Sequence, residues 1–299
     1  MKIGVQLPEV ERVASWSELR EMAQTAERIG LDSVWVGEHL LYRYPDGEER
    51  GPWEAWSQLA ALAEATQRVE IGPLVACTSF HNPALLAKQA ATLDEISGGR
   101  LILGLGAGWN EVEYRAFGIP YDHRVSRFEE AFTIIRSLLR DGHVDFSGRY
   151  YAARDCTLIP RGPRRGGPPL MIGSTGSRML HITLPFVDAW NAWFASFGNS
   201  LIGYLELRDS IDAACEAVGR DPAEVERSVA LLVAFPDGIG RRTAFADRTA
   251  PPLSSEPGEL AHTLAAFAGA GVGHVQLVLD PITVASIERL APVLAAFRG

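Results

Sequence analysis

The chain has 299 residues, 47% of them hydrophobic and 22% charged, and a net charge of −9 at pH 7. This length and composition suit one large domain or two small ones, and the barrel pattern described below favours a single domain over residues 1–299. The dispersed acidic excess argues against nucleic acid or an anionic membrane as a partner. The first residues form too short an apolar stretch for a signal peptide and no apolar run approaches the roughly 18 residues of a membrane helix, so we expect a cytoplasmic protein.

Apolar and β-branched segments alternate with segments of helical period along the chain, which is typical of a parallel sheet with crossover helices. Eight strands are predicted, at residues 2–8, 33–39, 70–78, 100–108, 169–176, 188–194, 227–235 and 274–280. Helices are predicted at about residues 16–29, 53–66, 83–97, 126–141, 177–186, 201–218, 258–270 and 283–297. Eight such units predict a (β/α)8 TIM barrel of the α/β class.

Local signals support several of these elements. Asn82 before Pro83 predicts an N-cap, and Ser126 with Glu129 predicts a capping box. An open dinucleotide-binding sheet is disfavoured, because the first strand ends in Gln6-Leu7-Pro8 and not in a glycine-rich turn.

Two segments interrupt the alternation of strands and helices. Residues 142–168, between the fourth helix and the fifth strand, are too long for a simple connection, and their segment FSGRYY at 146–151 predicts a hairpin. Residues 236–257, after the seventh strand, are rich in proline, glycine, serine, threonine and arginine, so we expect a mobile loop over the barrel mouth.

The first candidate residues stand at the end of the second strand, where the loops of a barrel carry its chemistry. Glu38 and His39 form a charged pair that suits a polar pocket better than a core. Because histidine titrates near neutral pH, His39 is the candidate for proton transfer, with Glu38 poising it. The alternatives are a structural role for His39 and, for Glu38, orientation of another neighbour or capping of the second helix.

Glycines follow the fourth and fifth strands. Gly104, Gly106 and Gly108 leave one strand face without side chains, so a flat ring or a phosphate could approach the backbone; tight packing inside the barrel is the alternative. Residues 173–177, with the sequence GSTGS, offer N–H groups and hydroxyls to an anion, or else Ser177 merely caps the fifth helix. The aromatic sixth strand either lines a cavity for a planar ligand or packs in the core.

Other chemistries find no support in the sequence. Cys77, Cys156 and Cys215 are far apart and odd in number, which disfavours a disulfide framework or a thiolate zinc site. The seven histidines form no metal-ligand spacing, so we predict no metal. Residues 173–176 lack the order of a G-x-S-x-G nucleophile turn, which disfavours a serine hydrolase.

Eight segments, in order and over essentially the whole chain, resemble the luciferase-like monooxygenase superfamily, and within it the branch that uses the deazaflavin coenzyme F420. They are KIGV at 2–5, DSVWVGEH at 32–39, FHNPA at 80–84, ATLD at 91–94, SGGRLILGLGAGW at 97–109, RFEEA at 127–131, PPLMIG at 168–173 and DAWN at 188–191.

The resemblance implies a flavin or deazaflavin ring over the barrel mouth, against a bulge of the third strand that contains a non-prolyl cis peptide near Pro73 and Leu74. The implied contacts are His39 near the reactive ring atom, Ala76 and Thr78 at the ring edge, Ala107 and Gly108 along the tail, and Gly176 and Ser177 on the phosphate beside Gly173 and Ser174. The related sugar-phosphate dehydrogenases have an acidic residue at the position of Trp109 and an aspartate at the position of Glu38. These two differences argue against a sugar phosphate as substrate.

The predicted function is therefore an F420-dependent oxidoreductase that transfers hydride between a small organic substrate and the deazaflavin, with His39 handling the proton. One alternative is an FMN-dependent two-component monooxygenase, with a separate reductase that supplies the reduced cofactor. The other is a non-catalytic flavin-binding barrel, because a fold alone fixes no function. The resemblance also implies a homodimer.

Overall fold

The structure is a computed structural model that describes residues 1–240 and 250–299. Its strands are β1 (Lys2–Gln6), β2 (Ser33–Val36), β3 (Tyr42–Arg43), β4 (Glu49–Arg50), β5 (Glu70–Pro73), β6 (Ala76–Cys77), β7 (Leu103–Gly106), β8 (His143–Ser147), β9 (Ala152–Thr157), β10 (Leu170–Gly173), β11 (Ala189–Ala192), β12 (Glu226–Ala234), β13 (Leu253–Ser254) and β14 (Val272–Asp280). Its α-helices are α1 (Trp16–Ile29), α2 (Ala55–Ala65), α3 (Pro83–Ile96), α4 (Glu111–Ala116), α5 (Arg124–Asp141), α6 (Ser177–Thr183), α7 (Leu201–Ala217), α8 (Pro257–Gly269), α9 (Val284–Glu288) and α10 (Ala291–Arg298).

The main sheet curves into a parallel barrel. Its strands follow the order β5, β2, β1, β14, β12, β11, β10, β7 and β6. β5 and β6 are two parts of one barrel strand, the third, which is interrupted at a cis peptide between Leu74 and Val75. A bridge from Ile71 to Leu101 joins the two edges of the sheet. The predicted (β/α)8 barrel is confirmed, and the cis peptide lies next to the expected position.

Apolar side chains fill the barrel and the layer between sheet and helices. Ile3 and Val5 of β1 are fully buried, as are Phe128 and Ile135 of α5. The buried positions of α5 recur every three or four residues and therefore form one face of the helix. Each such side chain contributes about 1.5–3 kcal/mol relative to an exposed one, so the barrel is a rigid frame for the loops at its ends.

Most predicted helices are present, with two differences. The side chain of Asn82 accepts a hydrogen bond from the N–H of Leu85, which confirms the N-cap of α3. The capping box at Ser126 is wrong, because α5 begins two residues earlier, after His123. Ser126 and Glu129 instead both accept hydrogen bonds from Arg178 of α6. The last predicted helix is divided into α9 and α10, with a proline in the first turn of α10.

The insertion between α5 and β10 is a hairpin, as predicted. β8 and β9 pair in antiparallel orientation. The carboxylate of Glu130 on α5 accepts hydrogen bonds from the N–H groups of Arg149, Tyr150 and Tyr151, and so holds the turn of the hairpin against the barrel.

The predicted loop at 236–257 is described in part, since its residues 241–249 lie outside the described residues. β13, near its end, pairs in parallel with the last residues of β12, so this part of the loop lies at the C-terminal edge of the barrel.

Candidate functional site

His39 lies just after β2, at the C-terminal mouth of the barrel, and its imidazole stands between two carboxylates. Nδ1 is 2.9 Å from Oε1 of Glu113, and Nε2 is 3.7 Å from Oε1 of Glu9. The side chain of His39 is 15% exposed, whereas that of Glu113 is 1% exposed. The histidine is therefore reached from the mouth, while its main partner is inside the protein.

Glu113 belongs to the short helix α4, which follows the fourth barrel strand. Besides His39, its carboxylate accepts a hydrogen bond of 2.8 Å from the N–H of Leu40. The same residue thus fixes both the ring of His39 and the backbone that follows it. Hydrogen bonds to a buried carboxylate are among the stronger ones in proteins, so the ring is held in one orientation.

The carboxylates change the acid–base behaviour of His39. Burial disfavours the charged imidazolium, yet Glu9, Glu113 and Glu38 together outweigh this effect and raise the pKa of His39 above its ordinary value. The two flanking carboxylates therefore favour the protonated form of the ring, in which both nitrogens are donors.

Glu9 follows β1 and is held by two neighbours. Its Oε2 accepts a hydrogen bond of 3.0 Å from the side chain of Gln6, and its Oε1 accepts one of 3.1 Å from the hydroxyl of Tyr42. A side chain at Gly37 would collide with this carboxylate, so the glycine provides the space for Glu9 beside His39.

Glu38 was predicted to poise His39, but its carboxylate binds two other residues. Its carboxylate accepts a hydrogen bond of 2.6 Å from the N–H of Cys77 and one of 2.8 Å from Nε2 of His81. Successive side chains of an extended chain point to opposite sides, so Glu38 is turned away from the partners of His39. It orients the third barrel strand, which is one of the alternatives given for it.

The space beside the alternating glycines is filled by other parts of the protein. A side chain at Gly104 would collide with the carbonyl oxygen of Pro73, and a Cβ at Gly106 would lie 2.8 Å from the side chain of Val75. Val75 is also 3.0 Å from the Cβ position of Gly173. The structure thus supports the packing alternative for Gly104 and Gly106, since Val75 fills this space.

The predicted cofactor contacts fall into a buried and an accessible group. Pro73, Leu74, Ala76 and Thr78 are buried within the third barrel strand and its end. The accessible or half-buried group, which we call the mouth floor, consists of Val75, Ala107, Gly108, Gly173 and Ser174.

Gly108 lies next to a buried pair of polar side chains. Its φ is 71°, and a side chain there would collide with the hydroxyl of Tyr114. That hydroxyl donates to the carbonyl oxygen of Ala107 and lies 3.0 Å from Sγ of Cys77. Burial raises the pKa of Cys77 to about 12, so this cysteine is a protonated packing residue.

Gly176 and Ser177 are exposed at the start of α6, beside the mouth floor. The N-cap of α6 is Gly176 and not Ser177. The hydroxyl of Ser174 accepts a hydrogen bond from the N–H of Gly176, and its carbonyl oxygen accepts one from the indole of Trp190.

Aromatic side chains form the wall beside His39. The ring centroids of Tyr42 and Trp109 lie 4.7 Å and 5.4 Å from that of His39, both in edge-to-face orientation. Tyr42 lies on β3, which forms a small hairpin with β4 that sequence patterns did not predict.

Two residues of the sixth strand, Trp190 and Asn191, are part of the core. Trp190 is fully buried, and the side-chain amide of Asn191 donates to Ser228 and to Gln276. Asp188 pairs with Arg140 at the opposite end of the strand from the mouth. The structure supports core packing for Trp190 and Asn191, whereas Trp193 is half-buried just after the C-terminal end of β11.

The described parts of the chain contain no cluster of three or more side chains suited to hold a metal ion. Within the same residues, no helix combines the length and apolar character needed to cross a membrane.

Four residues of the mouth were missed by sequence reasoning: Glu9, Tyr42, Val75 and Glu113. Glu9 follows a barrel strand and could have been found by inspecting every strand end for acidic residues. Glu113 gives no such signal, because it is 74 residues from His39 in the chain and lies on a six-residue helix.

Fold and mouth together define a (β/α)8-barrel protein with a buried histidine–carboxylate cluster at the C-terminal ends of its strands. The chain belongs to the luciferase-like monooxygenase family, a family of enzymes, because the model of that family matches residues 1–250.

Relatives within this family differ in cofactor. An F420-dependent glucose-6-phosphate dehydrogenase of Amycolatopsis mediterranei is 32% identical over 225 residues, which are 73% of this chain and 65% of that protein. An FMNH2-dependent dimethylsulfone monooxygenase of Pseudomonas putida is 28% identical over 221 residues, 72% of this chain and 59% of that protein. The chain thus spans less than two thirds of the length of either curated relative.

Solved structures agree in fold. An F420-dependent secondary alcohol dehydrogenase, in complex with an F420-acetone adduct, superposes with a TM-score of 0.80 over 100% of this chain and 99% of its own. At 21% identity this likeness concerns the fold alone.

Proposed function

We propose that the protein is an F420-dependent oxidoreductase that acts on a small organic substrate at the barrel mouth. The observation that carries the proposal is the imidazole of His39, held between Glu113 and Glu9 where the barrel opens. Oxidation of an alcohol, or reduction of a carbonyl, moves a proton together with a hydride, and an acid–base cluster serves that proton. The F420-dependent relative supports the choice of cofactor.

The mouth floor fits a flat ring. Its side chains are small, Ala107, Gly108 and Gly173 are half-buried, and the side chain of Val75 lies 3.0 Å from the Cβ position of Gly173. The ring would lie on these residues, and Ser174, Gly176 and Ser177 would contact the phosphate of its tail. When bound, the deazaflavin supplies a carbon atom that accepts or donates a hydride.

His39 contacts the reacting oxygen of the substrate in this proposal. In its protonated form, which the flanking carboxylates favour, the ring donates a hydrogen bond from Nε2 and stabilises negative charge on that oxygen during the reaction. Tyr42 and Trp109 limit the access of water to this position, and a less polar surrounding strengthens the interaction.

The second candidate function is an FMN-dependent two-component monooxygenase, with a separate reductase as partner. It is favoured by the likeness to the FMNH2-dependent relative. The mouth floor suits either ring, so the two functions differ in cofactor affinity and not in the contacts described above.

The test is a titration of the purified protein with F420 and, separately, with FMN, followed by tryptophan fluorescence, to which Trp109 beside His39 contributes. We expect tight binding of F420 and weak binding of FMN. The reverse preference would favour the monooxygenase, and binding of neither would favour a non-catalytic barrel. His39→Ala should abolish turnover, whereas His143→Ala, at an exposed histidine of the β8–β9 hairpin, should leave it unchanged.

We also propose that the protein is a homodimer. The exposed apolar residues Leu85 and Ile96 are eleven residues apart on α3, close to three helical turns, and therefore lie on one face of that helix. Light scattering should give twice the mass of 32.5 kDa, and Leu85→Glu should lower it.

A further inference from the structure

We propose, on the basis of the F420-dependent function proposed above, that carboxylates of the F420 tail bind to arginine side chains beside the barrel mouth, with Arg124 as the main contact. Beyond its phosphate, F420 carries a chain of γ-linked glutamates, whereas FMN ends at the phosphate. These arginines therefore favour F420 over FMN, which the mouth floor does not. The site, which we call the arginine surface, consists of Tyr121, Arg124, Arg127, Arg149 and Tyr150.

The arginine surface begins next to the mouth floor. Tyr121 donates a hydrogen bond of 3.1 Å to the carbonyl oxygen of Trp109, the residue that follows Gly108. Its ring centroid is 5.2 Å from that of Tyr114, whose hydroxyl donates to the carbonyl oxygen of Ala107. The segment before α5 is thus fixed to the strand end along which we expect the tail of the cofactor.

The other side of the surface adjoins the expected phosphate contacts. α5 begins at Arg124, and Ser126 in its first turn accepts a hydrogen bond of 3.0 Å from Arg178. Arg178 directly follows Ser177 at the start of α6. A chain that continues beyond a phosphate at Gly176 and Ser177 therefore has the first turn of α5 as its neighbour.

Arg124 is a half-buried cation whose guanidinium lies on an aromatic ring. Its Cζ is 3.9 Å from the ring centroid of Tyr121, which is within the range of a cation–π contact. The N–H groups of a guanidinium lie in its plane, so they can bind a carboxylate while the face contacts the ring. Because the ring already restricts Arg124, binding of a carboxylate costs less conformational entropy than it would at a freely moving arginine.

Tyr150 brings two further arginines to the same surface. It lies in the turn between β8 and β9, and the Cζ atoms of Arg127 and Arg149 are 4.5 Å and 5.4 Å from its ring centroid. Arg127 is three residues after Arg124 on α5, so the two lie on one face of the helix. The hairpin and the first turn of α5 thus form one continuous surface.

The arginine surface has two positive charges to offer a ligand. Three nearby carboxylates are already bound by protein groups: Asp122 by Arg127, Glu129 by Arg178, and Glu130 by backbone N–H groups of the hairpin turn. Within residues 1–240 and 250–299, Arg124 and Arg149 form no ion pair and instead contact tyrosine rings. Because the net charge of the protein is −9, an acidic chain is attracted here and repelled by most of the remaining surface.

The test compares the affinities of the full chain for three ligands, measured by tryptophan fluorescence: F420, F420 from which the glutamates have been removed, and FMN. Removal of the glutamates should raise the Kd of the wild type about tenfold, which corresponds to one hydrogen bond to a charged group. Arg124→Gln should raise the Kd for complete F420 by about the same factor and leave the Kd for the other two ligands nearly unchanged. High salt should reduce the preference of the wild type for complete F420, because exposed charges are screened.

Further variants guard against an indirect effect of Arg124→Gln. Arg149→Gln should raise the Kd for complete F420 by about threefold, since an exposed ion pair contributes less. Arg124→Lys keeps the charge but not the planar pair of N–H donors, so it should recover part of the loss. Arg28→Gln is the matched control, because it removes the same charge from an exposed arginine at the end of α1, and it should bind all three ligands like the wild type.

The outcomes separate the arginine surface from the function on which it depends. Equal affinity of the wild type for F420 with and without glutamates would overturn the tail site and leave the F420-dependent function standing. An Arg124→Gln variant that weakens all three ligands alike would also overturn it. Failure of the wild type to bind either form of F420 would contradict the proposed function, and the tail site with it.

Discussion

Replacement of Glu113 by glutamine tests the histidine–carboxylate pair directly. The change keeps the size of the side chain and one acceptor oxygen, which can still take the N–H of Leu40. It removes the negative charge that faces Nδ1 of His39 at 2.9 Å. Loss of one partner of a buried charged pair costs about 3–5 kcal/mol. Because glutamine keeps one hydrogen bond, we expect the free energy of unfolding at pH 6 to fall by about 2–4 kcal/mol.

The effect should depend on pH with a definite sign. The pKa of His39 is raised in the folded protein, so its charge stabilises the fold fully below the pKa of the unfolded chain, about 6.5. This contribution is lost as the pH rises through the raised pKa of the folded state. The difference between wild type and Glu113→Gln should therefore be largest near pH 6 and smaller near pH 9.5.

Urea denaturation followed by circular dichroism at the two pH values measures this difference, and 15N NMR of His39 measures its pKa, which should fall in the variant. Glu129→Gln is the control, since Glu129 is an exposed carboxylate paired with Arg178 and should change stability by less than about 0.5 kcal/mol. A loss of stability that is equal at both pH values, with an unchanged pKa of His39, would refute the reasoning.

Three further predictions concern other parts of the barrel. Gly104→Ala should destabilise the fold by about 1–3 kcal/mol in thermal melts, because the carbonyl of Pro73 cannot move away. The control Gly176→Ala should change the stability by less than about 0.5 kcal/mol. Equal effects of the two substitutions would contradict the packing described for Gly104. Glu38→Gln should weaken F420 binding through the third barrel strand with a smaller change in the pKa of His39 than Glu113→Gln produces, as NMR titration would show. Burial, with Lys2, lowers the pKa of His274 to about 3. The stability that neutral His274 contributes is therefore present above about pH 6.5, the pKa in the unfolded chain, and is lost as the pH falls. His274→Gln should flatten the decline of the unfolding free energy between about pH 6.5 and pH 4, and an unchanged decline would show that His274 does not cause it.

The fold could be predicted from the sequence because each barrel unit carries its own pattern. α1 and α3 begin where their apolar period begins, and the β8–β9 hairpin follows from a short turn sequence between extended segments. The prediction of a capping box at Ser126 was wrong, because a serine followed three residues later by a glutamate can also lie within a helix. Here both side chains accept hydrogen bonds from Arg178.

The site was harder to predict, because its contacts join distant loops. His39 was found from its position after a strand, but its partner was assigned by sequence proximity. Glu38 adjoins His39 in the chain and points elsewhere, whereas Glu113 comes from a helix too short to show a period. Glycine patterns were also ambiguous, since a missing side chain makes room for a ligand or for another part of the chain, and at Gly106 the neighbour is Val75.

The position of Val75 limits which substitutions the barrel mouth of this protein can accept. Val75 touches the space of Gly104, Gly106 and Gly173, which belong to two other barrel strands. Substitutions at Val75, Gly106 and Gly173 are therefore not independent: a larger residue at either of these glycines requires a smaller one at position 75, whereas the space at Gly104 is also closed by the carbonyl oxygen of Pro73. Laboratory evolution of the mouth should accordingly recover changes at positions 75, 106 and 173 as sets and not one at a time.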